Sequence, residues 1–181
     1  MVTGIRIRPG WAAAVLGMPA RDLPDVAGLA DMWGPCVQRL ETALAAAATP
    51  AKCRTVLTRA VARRLAGSNG PHPAVLAAVG LLDKPTATAG DVARRVELSP
   101  RQLRRLFDDH VGLPPKALQT ILRFQRFRAQ VQVAGGTRIP LSRAAAECGY
   151  FDHAHLCRDC ARLAGVTPSI LLDPSPTPKG V

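Results

Sequence analysis

Arg101, Arg104 and Arg105 follow directly on Ser99-Pro100, and their chemistry is that of a planar fork of donors. A guanidinium matches guanine O6 and N7 in a bidentate pair and also grips phosphate oxygens. Ser99, Pro100 and Gln102 mark a helix start. The serine caps free backbone amides, the proline suits the first helical position, and the glutamine closes a capping box. In that helix Leu103, Leu106 and Phe107 share an inward face, while the three arginines project from the other side near the N-terminus. A basic run is most often a solvated face. Here a short helix, Asp91 to Val96, and a turn, Glu97 to Pro100, precede it, giving a helix-turn-helix unit over about 90–110. A second unit lies at about 140–165, with a helix from Leu141 to Cys148, a turn from Gly149 to Asp152 and a helix from His153. Ala145 stands four residues before Gly149, the spacing at which a small residue lets helices approach and a glycine makes the turn. Asp152 is placed to cap the next helix. His153, Ala154, His155, Cys157 and Arg158 occupy its first turns. Arg158 suits a base or a phosphate, and His155 either makes such a contact or braces the turn from within.

The remaining elements must hold these two helices. Pro114-Pro115 opens a helix running to about Val133, ahead of Gly135-Gly136. Some 19 residues at 1.5 Å each make a rod of roughly 28 Å, close to the roughly 34 Å between major-groove segments on one DNA face. Arg123, Arg126 and Arg128 on this rod are candidates for phosphate contact. Upstream, Cys36 to Ala48, Ala51 to Ala66 and Pro73 to Leu82 carry apolar residues at helical spacing. Ile5-Arg-Ile-Arg8 alternates apolar and basic residues, a strand-like piece with no evident partner strand in the chain. The tail from Asp173 is proline-rich and is expected to be disordered.

Composition agrees with a nucleic-acid partner. The 181 residues carry a net charge of +11, and between Lys84 and Leu172 there are 14 Lys and Arg against 7 Asp and Glu. Apolar content is 48% but aromatic content only 4%, with alanine making up much of the difference, so a mostly helical fold is expected. Five cysteines at loose spacing suggest a reducing compartment rather than a disulfide framework. Arg6 and Arg8 ahead of Trp11 to Gly17 faintly resemble a secretory leader, but Pro9-Gly10 interrupts the apolar stretch, so a cytoplasmic protein is expected. No apolar run reaches the length of a membrane span. Two rivals concern the second unit. Cys148, His153, His155, Cys157 and Cys160 fall within thirteen residues, with zinc-like spacing at Cys157 and Cys160, yet a helix from His153 turns His155 away from those two cysteines. Cys157 alone could sense oxidants on the same surface. No phosphate loop, nucleophile elbow or apolar-set carboxylate pair supports an enzyme, and no metal or cofactor is expected.

Ser99-Pro-Arg-Gln-Leu-Arg-Arg-Leu-Phe107, Gly112-Leu-Pro-Pro-Lys116, Arg123-Phe-Gln-Arg126, Gly149-Tyr-Phe-Asp-His-Ala-His-Leu156 and Gly165-Val-Thr-Pro168 resemble the DNA-binding domain of the AraC/XylS family of bacterial transcription regulators. The resemblance covers about half the chain. It implies a homeodomain-like domain of seven helices over 83–172, with two recognition helices on one DNA face. It places base-facing positions at Arg101, Arg104, Arg105, His153, Ala154, His155, Cys157 and Arg158. Gly4 to Gly10 and Leu29 to Gly34 resemble the end of an effector-type domain from one branch of the family. Residues 1–82 are therefore read as a mostly helical remnant of such a domain, serving effector binding or dimerisation, with 173–181 as the tail. Expected partners are double-stranded DNA, with RNA polymerase and a second copy of the chain as further candidates and an effector of unknown identity. The alternative is a truncated, non-activating regulator that acts by pairing or competing with a full-length homologue. The chain departs from the family at three places. Glu97 stands where the first turn favours glycine, at a cost on the order of 1 kcal/mol if the backbone is left-handed there. Cys160 replaces a usual phenylalanine, and Phe127 stands where alanine is common, which allows compensating repacking.

Overall fold

The structure is a computed structural model that describes residues 2–134 and 140–172. All regular structure among the described residues is helical. Contacts divide the chain into two compact units, Met1–Gly80 with Ala93–Pro114, and Leu81–Val92 with Pro115–Val181. The expected tail and the Gly135-Gly136 break lie outside the described residues.

In the first unit, α1 (Ala12–Leu16), α2 (Leu29–Trp33), α3 (Val37–Ala45) and α4 (Pro50–Ala66) follow one another, with 3-10 turns at Ala20–Asp22 and Gly34–Cys36. Thr49 caps α4, its hydroxyl accepting the Lys52 N–H at 3.3 Å, and Pro50 takes the first helical position. Val15, Val37 and Leu40 are buried where α1 and α3 meet α4. The strand expected at Ile5–Arg8 is not formed. A strand needs a partner to satisfy its amides and carbonyls, and no other strand exists among the described residues. Ile5 and Ile7 instead line a small cavity with Trp11, Val15, Val61 and Leu65.

α5 (Pro73–Leu82) and α6 (Ala89–Arg95) lead to α7 (Pro100–His110), the arginine-bearing helix. The capping box is complete. Ser99 Oγ accepts the Gln102 N–H at 3.2 Å, and Gln102 Oε1 accepts the Ser99 N–H at 2.9 Å. Leu103 and Phe107 are fully buried, Leu106 half so. α7 rests against α1 and the Ala20–Asp22 turn, with an Arg21–Asp109 ion pair and Gly112 against the Ala20 carbonyl, where a Cβ would lie 3.0 Å from that oxygen. The N-terminal segment thus props the first arginine helix. The packing units therefore do not follow the 82/83 division, because the inward face of α7 is covered from upstream. His110 packs at 5.3 Å from the His72 ring, and burial, then that neighbour, lowers its pKa from the usual histidine range.

The second unit holds α8 (Pro115–Ala134), α9 (Leu141–Glu147), α10 (His153–Ala164) and α11 (Pro168–Leu172). Its core is Phe124, Phe127, Ala144, Ala145, Cys148, Tyr150, Leu156 and Cys160.

Both helix-turn-helix turns close in the same way. After α6, the Glu97 N–H donates to the Arg94 carbonyl at 3.2 Å and the Leu98 N–H to the Ala93 carbonyl at 3.0 Å. After α9, the Gly149 N–H donates to Ala146 at 3.0 Å and the Tyr150 N–H to Ala145 at 2.9 Å. This paired closure places one residue in left-handed backbone: Gly149 at φ +83° in one turn and Glu97 at φ +57° in the other. Glu97 is the one non-glycine residue with positive φ among those described. Relieving it predicts that Glu97→Gly raises stability by about 1 kcal/mol, read as a higher denaturation midpoint at unchanged slope. A lower midpoint would show that the glutamate side chain contributes more than its backbone costs.

Candidate nucleic-acid interface

On α7 the burial of Leu103 and Phe107 fixes which side faces water. Arg101, Arg104 and Arg105 are all exposed on that side, and no hydrogen bond or ion pair to a described residue holds any of the three guanidinium groups. Three unpaired arginines on the first two turns of one capped helix, with Arg101 and Arg105 four apart, repel one another modestly in water. They present a fan of positive charge ready for a polyanion.

On α10, Asp152 caps the helix as expected, Oδ1 accepting the His155 N–H at 2.6 Å. Leu156 and Cys160 are buried, and His153, Ala154 and Arg158 are exposed, with Cys157 half-buried beside His153. Cys157 Sγ lies 3.6 Å from His153 Nδ1. Arg158 is free of any described partner, like the arginines of α7.

Three sequence candidates are committed within the fold. His155 Nε2 lies 3.1 Å from Arg123 Nη1 and 3.8 Å from Asp159 Oδ2, and its ring meets the Tyr150 edge at 5.2 Å. These contacts are those of a brace between α10, α8 and the turn. Arg123 also lies over the Tyr150 ring at 5.3 Å, so its contacts are to α10 and the turn. Arg126 pairs with Asp83 Oδ1 at 2.8 Å, donates to the Asp83 carbonyl, and donates through Nη2 to the Cys148 carbonyl at 3.2 Å. Arg123 and Arg126, the candidates for phosphate contact, thus have guanidinium groups held by partners within the unit.

Two residues of this region went unread in the sequence. Asp159, only 5% exposed, lies on the buried side of α10 between His155 and Arg162, which donates to its Oδ1 at 2.9 Å. An acid on the inward face of a helix, four residues after a histidine and three before an arginine, was a legible signal for such a brace. Phe151, in the turn before α10, is 94% exposed, next to the Asp152 cap.

Thiol chemistry is disfavoured at two of the clustered cysteines. Burial raises the Cys148 pKa, and burial pushes the Cys160 thiol up to about 11, whereas metal binding and redox attack need the thiolate. Among the described residues no group of three or more His, Cys, Asp or Glu side chains converges as a metal site.

A family described as a helix-turn-helix domain matches residues 92–173, which takes in both turns, α7 and α10. No curated protein and no solved structure matches the chain. The matched domain is a DNA-binding, regulatory one rather than an enzymatic one. Among the described residues no helix is long and apolar enough to cross a membrane. Residues 92–173 are thus similar to a helix-turn-helix domain of the AraC type.

Proposed function

We propose that the protein is a sequence-specific transcription regulator that lays α7 and α10 into successive major-groove segments of one DNA duplex. The observation that carries this reading is the repetition of one device. Twice, a short helix ends in the same doubly bonded turn, and a side-chain-capped helix then presents unpartnered arginine. In chain order the 20-residue α8 lies between them, about 30 Å of helix, which fits heads that read neighbouring turns. Arg101, Arg104 and Arg105 read one half-site. His153, Ala154, Cys157 and Arg158 read the other, with His155 holding α10 at its angle from below. Affinity comes mostly from phosphate contacts and sequence choice from these side chains. The work is done in the bacterial cytoplasm.

Arg104→Ala tests this directly. At a site chosen by the wild-type protein, and at one fixed salt concentration, the variant is expected to lose about 1–3 kcal/mol and to relax preference at one base position. Equal weakening on every sequence would make Arg104 a phosphate contact instead, and an unchanged affinity would remove α7 from the interface.

A further inference from the structure

We infer that the cavity between α3 and α4 binds an amphipathic organic anion, a carboxylate, sulfonate or phosphate carried on an apolar body. The cavity lies within the first unit and measures about 630 Å³, in the range of small-molecule sites. Four arginines line it, Arg39 from α3 and Arg59, Arg63 and Arg64 from α4, and no acidic residue does. Arg59 and Arg63 stand four apart on one helix, where like charges repel. Arg39, Arg59 and Arg63 have no counter-charge among the described residues.

The rest of the lining is apolar, with Leu40 and Val56 below and Trp33 as a flat wall. That wall is fixed in place. Trp33 Nε1–H donates to the Val15 carbonyl at 3.0 Å, and the Arg64 guanidinium stacks 5.4 Å from the ring centroid. A bound anion would satisfy positive charges that no described residue pairs with, while its apolar body would cover the floor beside Trp33. A phosphodiester backbone offers the charge without that body, so the apolar floor favours a small molecule over DNA. The inference does not rest on the reading of α7 and α10, which lies outside this cavity.

The test uses the full chain and 8-anilinonaphthalene-1-sulfonate, whose fluorescence rises on leaving water. N-phenyl-1-naphthylamine has the same apolar body without the sulfonate. The expected result is saturable binding of one sulfonate per chain, with the neutral analogue weaker by about tenfold or more. An Arg59→Gln/Arg63→Gln variant should lose sulfonate affinity by a similar factor at unchanged helicity. Ala60→Leu, which fills the floor and keeps all four arginines, should lose it as well and guards against misfolding of the double variant. Equal binding of the neutral analogue, or full sulfonate affinity in both variants, would overturn the inference. So would a double variant that keeps the sulfonate but loses random duplex DNA, since the arginines would then be serving phosphates.

Discussion

Gly149→Val is expected to unfold the second helix-turn-helix unit under mild conditions, at a cost of about 3–5 kcal/mol. Two penalties act together. At φ +83° an L side chain is strained, and a β-branched one most of all. The space is also taken. A Cβ at this position would lie 2.6 Å from the Pro85 carbonyl oxygen and 3.0 Å from its Cα, and both are backbone, so no rotamer change relieves the contact. The loop carrying Pro85 is itself tied to α8, through the Arg126–Asp83 pair and the Gln119 side chain donating to the Ala87 carbonyl. It cannot withdraw without breaking those bonds. Denaturant titration followed by circular dichroism should show a large fall in midpoint for Gly149→Val and a smaller one for Gly149→Ala. A valine variant within about 0.5 kcal/mol of wild type would mean that Pro85 is not against this turn in solution.

Phe127→Ala should cost a comparable 3–5 kcal/mol. Its ring is fully buried in the cluster that includes Leu156 and Cys160 beneath α10, and truncation leaves a ring-sized void there. The resemblance to the AraC family suggests that this core exchanged large and small residues, with phenylalanine now on α8 and cysteine on α10. Cys160→Phe alone should therefore overpack, at about 1–3 kcal/mol. The double variant, Phe127→Ala with Cys160→Phe, should melt above Phe127→Ala. If the two losses simply add, the side chains do not share one volume and the exchange is refuted.

The local signals in this sequence were strong because each rests on short-range chemistry. Ser99, Gln102 and Asp152 cap their helices as their types and spacing predict, and the glycine spacing after Ala145 marked a turn that carries positive φ. Glu97 was legible as a misfit, and the backbone is left-handed there. What escaped reading depends on distant partners. Nothing within a few residues of Arg126 announces that it will meet Asp83, 43 positions away, and a basic residue on an amphipathic rod looks the same whether it faces phosphate or a carbonyl. His155 was ambiguous for the same reason, since Arg123 and Tyr150 reach it only through the tertiary packing of α8 against α10. The alternation at Ile5–Arg8 had the pattern of a strand, but a strand is a property of a pair. The covering of α7 by the Ala20–Asp22 turn is likewise written in no local pattern, because the Arg21–Asp109 pair spans most of the first unit.

Selection from a random-sequence duplex library by the purified chain, at one fixed salt concentration, tests the central claim most directly. Arg104→Ala and Arg158→Ala are run alongside. The account predicts a recovered motif of two short blocks about one helical turn apart, with a different block lost in each variant. Uniform, salt-sensitive retention of every sequence by the wild-type chain would contradict it. DNA contact would then be sequence-blind, and regulation by pairing or competing with a full-length homologue would take its place.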